Sequence, residues 1–360
     1  MALRFHWMLP KSGEVVPGAA QTPLDAVRYR VASVDPGSAA PRPEMDGWTH
    51  FARCAEAAGI DSVLISFSRY EPDPFLVSCA LGRATSKLRF MIAYRSGLMQ
   101  PPAFVQQVNT LSVLIGGRVS LNLVAGSSTS EQHGYGDFLS HDERYARAAE
   151  FLGVCHAFWR NGNEVDFEGR YYRVERGHVS TPFLDNGRKA PEIYISGHSE
   201  AALQLVAAHG SCWLRVADLP EMVAIGANRM RGEGIPVCLR MCILCRPTHE
   251  EAVRAAEALL PRGDAGGQAR TARLKDDSQM HRQAAQNPWL SRSLWTGLVP
   301  HYGPVWTTLL GSPRELADAL LAYRDAGVSE FILSGWPEVD TLEVFAREIL
   351  PLVRQEESCH

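Results

Sequence analysis

Eight short apolar segments, each followed by a segment of helical character, are the feature that most restricts how this chain folds. Three of them (63–66, 90–93 and 331–334) are nearly continuous apolar runs, as expected for strands buried on both faces. The predicted strands cover residues 4–9, 62–67, 88–93, 119–125, 192–196, 212–216, 237–245 and 330–333. Strands that alternate with helices are typical of a parallel sheet with crossover helices.

A closed (β/α)8 TIM barrel of the α/β class is the arrangement that eight such units favour, and 360 residues are enough for it. An open doubly wound sheet usually has a glycine-rich turn after its first strand, and residues 10–13 (Pro-Lys-Ser-Gly) do not provide one. We expect one domain over 1–360, with insertions at the carboxyl-terminal mouth near 12–43, 160–190 and 262–312. The second insertion has the pattern of a hairpin, and the third is polar and irregular.

Charge and composition exclude several classes of partner. The formal net charge is −4 and no long basic run is present, so neither nucleic acid nor an anionic membrane is an expected partner. No segment approaches about 18 uninterrupted apolar residues, and residues 1–10 have the pattern of a strand rather than a signal peptide. The 8 cysteines are scattered through apolar segments. We therefore expect reduced thiols in a cytoplasmic protein.

Motifs for metal hydrolysis, a serine nucleophile or a phosphate-binding loop are not found in the sequence. Cys242 and Cys245 have a C-x-x-C spacing, but in a strand two residues three apart point to opposite faces. No metal site is therefore predicted.

Polar residues after the predicted strands are the candidates for an active site, because barrel enzymes place their chemistry at the carboxyl ends of the strands. Residues 196–199 (Ser-Gly-His-Ser) join a strand to a helix, so they either bind an anion at the helix amino terminus or only cap the helix. Arg240 lies in an apolar strand, which indicates either a carboxylate partner or an anionic ligand. His141 and Tyr145 either face the barrel mouth or belong to a polar first helical turn.

Five segments, taken together and in order, resemble those of a known family. They are 5–10 (Phe-His-Trp-Met-Leu-Pro), 121–128 (Leu-Asn-Leu-Val-Ala-Gly-Ser-Ser), 141–151 (His-Asp-Glu-Arg-Tyr-Ala-Arg-Ala-Ala-Glu-Phe), 195–202 (Ile-Ser-Gly-His-Ser-Glu-Ala-Ala) and 331–337 (Phe-Ile-Leu-Ser-Gly-Trp-Pro). This set resembles the luciferase-like flavin-dependent monooxygenases, and most closely the alkanesulfonate monooxygenases. The resemblance implies the barrel fold and a loosely held FMN, supplied in its reduced form (FMNH2) by a separate NAD(P)H-dependent flavin reductase. It further implies O2 as co-substrate, a C4a-(hydro)peroxyflavin, a small-molecule substrate and a homodimer or homotetramer.

The resemblance also implies flavin contacts at matching positions of this chain. Those along the isoalloxazine ring are Ala93, Tyr94 and Asn122. Those that approach the flavin from a helix are His141 and Tyr145. Those at the phosphate end are Ser196, Gly197, His198 and Ser199. The last assignment agrees with an anion site at a helix amino terminus.

On the substrate side the chain departs from the alkanesulfonate enzymes, and Arg240 is the polar position that remains. Two histidines of those enzymes are replaced in this chain by Ser12 and Cys242. Their cysteine is replaced by Glu71, their arginine by Tyr302 and their tyrosine by Trp336. The loss of a histidine and an arginine weakens capture of a strong anion, since charge-assisted hydrogen bonds are the strong ones. A simple alkanesulfonate is therefore not the expected substrate.

Glu71 adds a negative charge on the substrate side, which suits a cation or an amine. Trp336 and Tyr302 would offer aromatic faces to such a group. The alternative is that Glu71 is only the ion-pair partner of Arg69, Arg95 or Arg240.

The sequence thus predicts a two-component FMNH2-dependent monooxygenase that acts on a small organic molecule. The candidate catalytic residues are Arg240, which would hold the oxygenated flavin or an acidic group, His141, which would move protons, and Glu71. Three alternatives stay open: an alkanesulfonate or sulfone monooxygenase, a coenzyme F420-dependent oxidoreductase on the same barrel, and a flavin-binding protein that has lost catalysis.

Overall fold

A computed structural model describes residues 2–10, 45–69, 71–126, 129–160, 164–185, 187–260, 284 and 286–358. The whole of the predicted insertion near 12–43 and the first part of that near 262–312 lie outside these residues. The chain forms two compact units. The first unit contains Met1–Asp61, Val216–Gly232 and Val237–His360, and the second contains Ser62–Arg215 and Glu233–Pro236.

Strands and helices alternate along the described residues. The strands are β1 (Arg4–Met8), β2 (Ser62–Ile65), β3 (Arg89–Tyr94), β4 (Val119–Leu123), β5 (Val165–Glu168), β6 (Arg173–Gly177), β7 (Glu192–Ser196), β8 (Cys212–Val216), β9 (Val237–Cys245), β10 (Leu294–Trp295), β11 (Thr308–Gly311) and β12 (Glu330–Ser334). The helices are α1 (Met45–Ala57), α2 (Pro74–Ala84), α3 (Pro101–Leu114), α4 (Thr129–Gly134), α5 (His141–Arg160), α6 (Glu200–His209), α7 (Pro220–Gly232), α8 (His249–Ala258), α9 (Val299–Tyr302), α10 (Pro313–Asp325), α11 (Glu338–Val344) and α12 (Leu350–Ser358).

The fold is a (β/α)8 TIM barrel of the α/β class, whose eight parallel strands are β1 to β4, β7 to β9 and β12. These are the eight strands predicted from the sequence, and their ends differ from the prediction by at most two residues. The predicted fold is therefore confirmed. That the chain forms one domain stays a prediction.

Side-chain caps mark where several of the helices begin. Asp73 accepts two backbone hydrogen bonds at the start of α2. Thr248 with Glu251, at α8, and Ser312 with Glu315, at α10, form reciprocal capping boxes. Each cap satisfies N–H groups that the first turn of a helix leaves unpaired. Helices therefore start where the sequence supplies these residues after a strand.

In the second unit the parallel strands follow the order β2-β3-β4-β7-β8. One face of this sheet packs on helices: the ring centroid of Tyr94 lies 4.3 Å from that of Phe104 in α3 and 6.1 Å from that of Phe151 in α5. Side chains alternate along a strand, and residues in register on parallel neighbours point to the same face. Ala93, which is in register with Asn122 on β4, therefore lies with Asn122 on the opposite face.

In the first unit the strand order is β10-β11-β9-β12-β1. The first part of β9 pairs in parallel with β12, and its last residues pair with β11. Strands β10 and β11 fall within 262–312, for which the sequence predicted irregular structure, so that prediction was wrong there. Both strands are too short to show an alternating pattern, and Thr308–Gly311 is held by its pairing with the end of β9.

A buried ion-pair cluster lies at the amino-terminal ends of β1 and β12 in the first unit. His6 Nε2 is 3.0 Å from Glu330 Oε2, and the Arg4 guanidinium pairs with the other carboxylate oxygen. Burial by itself raises the pKa of Glu330. The hydrogen bond and charge of His6 and the charge of Arg4 outweigh that effect and hold the pKa at about 2. Because this end of the strands is opposite to their carboxyl ends, the cluster supports the fold rather than the chemistry.

Strands β5 and β6 pair antiparallel, so the hairpin predicted within 160–190 is present.

Of the helices in the described ranges, none combines the length and the apolar character needed to cross a bilayer.

Candidate active site

Asn122 and Ser196 bring polar atoms together at the carboxyl ends of β4 and β7 in the second unit. The Ser196 hydroxyl donates to Asn122 Oδ1 at 3.0 Å, and the Asn122 side chain is buried. Within the described residues this bond uses the amide oxygen and leaves the amide N–H groups for another acceptor. Two residues that the family resemblance assigned to the flavin thus contact each other directly.

Gly197 lies against Tyr145 in a conformation that other residues do not tolerate. Its φ is +137°, and a Cβ added there would lie 2.7 Å from Tyr145 Oη and 2.7 Å from the Ala202 Cβ. The Tyr145 hydroxyl also hydrogen-bonds with the Ser199 side chain, and burial raises the pKa of Tyr145 despite that bond. The absence of a side chain at position 197 therefore lets the Tyr145 hydroxyl and Ala202 pack directly against the backbone.

Helix α6 begins three residues after this glycine, at Glu200. Ser199 is its N-cap and accepts a hydrogen bond from the backbone N–H of Ala202 at 3.2 Å. His198 is exposed to solvent. The capping role that the sequence left open is thus present in the structure. A cap satisfies only part of the four N–H groups of the first turn, so capping and anion binding are compatible here.

His141 lies on the first turn of α5, one helical turn before Tyr145. Its ring centroid is 4.9 Å from that of Tyr145, and its Nδ1 is 2.8 Å from Asp142 Oδ1. The His141 side chain is 54% exposed, so solvent reaches the imidazole. His141 therefore lies beside Tyr145, with its imidazole partly exposed to solvent.

Tyr94 differs from Ala93 in the face that its side chain occupies. The phenol packs among the rings of the helices α2, α3 and α5, and burial raises the pKa of Tyr94 well above its ordinary value. A ligand on the opposite face would meet the side chain of Ala93 and only the backbone of Tyr94.

Arg95, directly after β3, is a site residue that the sequence identified only as one possible partner of Glu71. Its Nη2 donates to Glu131 Oε2 at 2.6 Å, and both side chains are largely buried. Its Nε and Nη1 are also buried, and no described residue accepts a hydrogen bond from either of them. The rings of Phe67 and Tyr135 lie 5.2 Å and 5.8 Å from the guanidinium carbon. The only sequence signal for this residue was its position at the end of a strand.

In the first unit, Arg240, Ser334 and Cys242 form a buried polar cluster near the carboxyl ends of β9 and β12. Arg240 Nη1 donates to Ser334 Oγ at 2.9 Å and to the backbone oxygen of Met241 at 2.9 Å. Cys242 Sγ is 3.1 Å from Ser334 Oγ. Among the described residues no carboxylate pairs with Arg240. Of the two interpretations that the sequence left open, an anionic ligand is the one that this arrangement favours. Ser334 had no role predicted from the sequence.

The remaining predicted substrate residues are spread over both units. Glu71 is half-buried in the second unit, where its backbone N–H donates to Ser68 O at 3.1 Å. Trp336 is buried in the first unit, after β12. Tyr302 ends α9, but its side chain lies outside the described part of the chain, as does the whole of Ser12.

The model of the luciferase-like monooxygenase family matches residues 27–330. Similar solved structures include riboflavin lyase with modified FMN and riboflavin, at 20% identity over 99% of this chain and 92% of that chain, with a TM-score of 0.77. EDTA monooxygenase from Chelativorans sp. BNC1 is 18% identical over 99% and 94% of the two chains, with a TM-score of 0.75. An F420-dependent secondary alcohol dehydrogenase is 18% identical over 98% and 100%, with a TM-score of 0.67. At these identities the structures show a shared fold, whereas the family model spans most of the sequence: the chain belongs to the luciferase-like monooxygenase family.

Proposed function

We propose that the protein is the oxygenase component of a two-component system that uses FMNH2 and O2 to oxygenate a small organic substrate. The observation that carries the proposal is the contact of Gly197 with Tyr145 at the start of α6. Membership of the luciferase-like monooxygenase family supports the reaction class. A separate NAD(P)H-dependent flavin reductase would be the partner that supplies FMNH2.

The residues around Gly197 fit a phosphate-bearing flavin. Gly197 lets the Tyr145 hydroxyl lie against the backbone just before α6, and the amino terminus of α6 offers N–H groups with a positive dipole. Ser196, His198, Ser199 and the Tyr145 hydroxyl would add donors at this end. These features are found within the second unit, so one compact part of the chain would hold the phosphate.

Bound reduced flavin supplies the electrons that activate O2, and the residues of this chain supply the setting for it. Asn122, through its free amide N–H groups, and Ala93 would orient the ring on the face turned away from the helices. His141, which is exposed and lies beside Tyr145, is the group placed to take up or release protons.

The substrate side of the proposal is argued from the Arg240 cluster within the first unit. The Arg240 guanidinium donates to Ser334 and to backbone oxygens without a carboxylate partner among the described residues, so it can receive an acidic group or an oxygen atom of the substrate. Cys242 contacts the same hydroxyl with a thiol, which is a weaker hydrogen-bonding group than the imidazole of the sulfonate enzymes. We therefore propose a substrate other than a simple alkanesulfonate.

A coupled assay tests the proposed activity. Purified protein is mixed with a flavin reductase, FMN and NADH, and substrate-dependent product formation is measured across alkanesulfonates, amines, ketones and heteroaromatic compounds. The proposal expects oxygenated product from at least one compound outside the alkanesulfonates. Turnover with reduced F420 and none with FMNH2 would instead establish the hydride-transfer alternative, which the F420-dependent structures of the same fold suggest. Flavin binding without any turnover would favour loss of catalysis.

The role of Glu71 is tested on the substrate found in that assay. Glu71→Gln removes the charge and keeps the shape of the side chain. We expect KM for the substrate to change at least fivefold while the Kd for FMNH2 stays the same, because the carboxylate is assigned to substrate. An unchanged KM with weaker FMNH2 binding would contradict this assignment.

A further inference from the structure

Arg95 is a buried cation whose hydrogen-bonding capacity is only partly used. The residue is 7% exposed, and its ion pair with Glu131 occupies Nη2. The N–H groups at Nε and Nη1 are buried and meet no acceptor within the described part of the chain. A buried donor that lacks an acceptor is costly, and more so on a charged group. Two such donors on one guanidinium therefore point to an acceptor supplied by a ligand.

The position of Arg95 relates it to the proposed flavin residues. Arg95 follows β3 and is two residues after Ala93, so strand alternation places it on the same side as Ala93, away from the ring cluster around Tyr94. Ala93 is in register with Asn122, and Asn122 bonds to Ser196 on β7. Neighbouring strands are about 4.8 Å apart, so the ends of β7 and β3 are separated by roughly 10 Å.

A ligand whose phosphate lies at the start of α6 and whose ring lies across β4 would thus bring the ring to Arg95. The surroundings of Arg95 suit a planar ring with oxygen atoms. The Phe67 and Tyr135 rings lie side by side next to the guanidinium, and their centroids are 5.3 Å apart. Gly126 is close as well: a Cβ there would lie 3.4 Å from Arg95 Nε and would collide with the Gln132 side-chain amide.

We infer that Arg95 binds the pyrimidine oxygens of the flavin ring and thereby selects the reduced, anionic form over the oxidised form. This inference rests on the proposed function. The ring of reduced flavin carries a negative charge near neutral pH, whereas the oxidised ring is neutral. A guanidinium therefore binds the reduced ring more strongly, and hydrogen bonds between two charged groups are the strong ones. The role is one of binding, and Arg95 takes no part in electron transfer.

The test compares flavin affinities under anaerobic conditions. Binding of oxidised FMN, reduced FMN and reduced riboflavin is measured with the unaltered chain, Arg95→Lys and Arg95→Gln. Because Arg95→Gln leaves Glu131 buried without its partner, the double variant Arg95→Gln/Glu131→Gln is measured too. The control is Arg89→Gln/Asp185→Asn, which removes an ion pair at the other end of β3.

We expect the Arg95→Gln/Glu131→Gln variant to bind reduced FMN and reduced riboflavin at least tenfold more weakly, with a much smaller change for oxidised FMN. Arg95→Lys should recover part of the preference, and the control variant should keep all of it. An unchanged ratio of reduced to oxidised affinity overturns the inference. A loss seen with FMN but not with riboflavin also overturns it, because Arg95 would then bind the phosphate. In both cases the proposed function stands, whereas an unaltered chain that binds no flavin overturns both.

Discussion

Replacing Gly197 with alanine is the change that most directly perturbs the proposed phosphate end. Gly197 has φ +137°, outside the left-handed helical region that a few other residues tolerate. Forcing alanine into such backbone strain costs about 1–3 kcal/mol. The new Cβ would also lie 2.7 Å from both Tyr145 Oη and the Ala202 Cβ. Carbon atoms pack at roughly 3.5–4.0 Å, so both neighbours must move.

Overpacking of this kind costs about a further 1–3 kcal/mol. The free energy of unfolding should therefore fall by about 2–6 kcal/mol in Gly197→Ala. The displaced Tyr145 would lose its hydrogen bond with the Ser199 side chain. We therefore expect FMN affinity to drop at least tenfold in protein that remains folded.

Gly116→Ala is a matched control for this change. Gly116 also has a positive φ, +67°, but a Cβ there meets nothing within 4 Å. Its replacement should cost only about 1–2 kcal/mol of backbone strain and leave FMN affinity unchanged. Urea unfolding gives the stability difference, and equilibrium titration with FMN gives the affinity. Equal losses of stability in the two variants, or unaltered FMN binding by Gly197→Ala, would refute the reasoning about position 197.

Three further predictions concern other parts of the chain. Ser199→Asp keeps the helix cap but brings a negative charge to the proposed phosphate site, so FMN affinity should fall. Ser199→Asn, an uncharged cap, should change FMN affinity much less. Equal FMN affinities of the two variants would show that Ser199 is not part of the site. The folded-state pKa of Glu330, about 2 against an ordinary 4.5, should contribute about 3 kcal/mol of stability that is present above pH 4.5 and lost as pH falls towards 2. Urea unfolding of Glu330→Gln should lack that fall, and a fall of the same size in the variant would contradict the assignment. Ser334→Ala removes the hydroxyl that receives Arg240 Nη1, so kcat for the identified substrate should decrease at least fivefold with unchanged FMNH2 affinity, and an unaltered kcat would exclude Ser334 as a positioning residue.

The strands and the helix starts could be predicted because their signals are local. The nine residues of β9 form a nearly continuous apolar run, and its predicted bounds coincide with those observed. The start of α6 could be predicted in the same way, since a serine cap two residues after a glycine is a pattern within a few residues. The fold class follows from the order of such local elements.

The contacts that assemble the site could not be predicted, because their partners are far apart in the sequence. Arg95 and Glu131 are separated by 36 positions, and Arg240 and Ser334 by 94. Neither pair leaves a periodic signal. Strand β11 escaped prediction for the same reason, since its four residues are ordered by pairing with β9 rather than by their own pattern.

The face of the sheet on which a side chain lies also could not be predicted from the sequence. The resemblance to flavin enzymes grouped Ala93 and Tyr94 together, yet the Tyr94 ring packs among helices while Ala93 is in register with Asn122 on the other side. A motif specifies positions, whereas strand register determines which side chains share a surface.

The most direct test of the central claim is an anaerobic titration of the purified chain with reduced FMN and, separately, with reduced F420. We expect saturable binding of reduced FMN by the chain, tighter than that of oxidised FMN, and no comparable binding of reduced F420. Preferential binding of reduced F420, or no binding of reduced FMN by a folded protein, would contradict it.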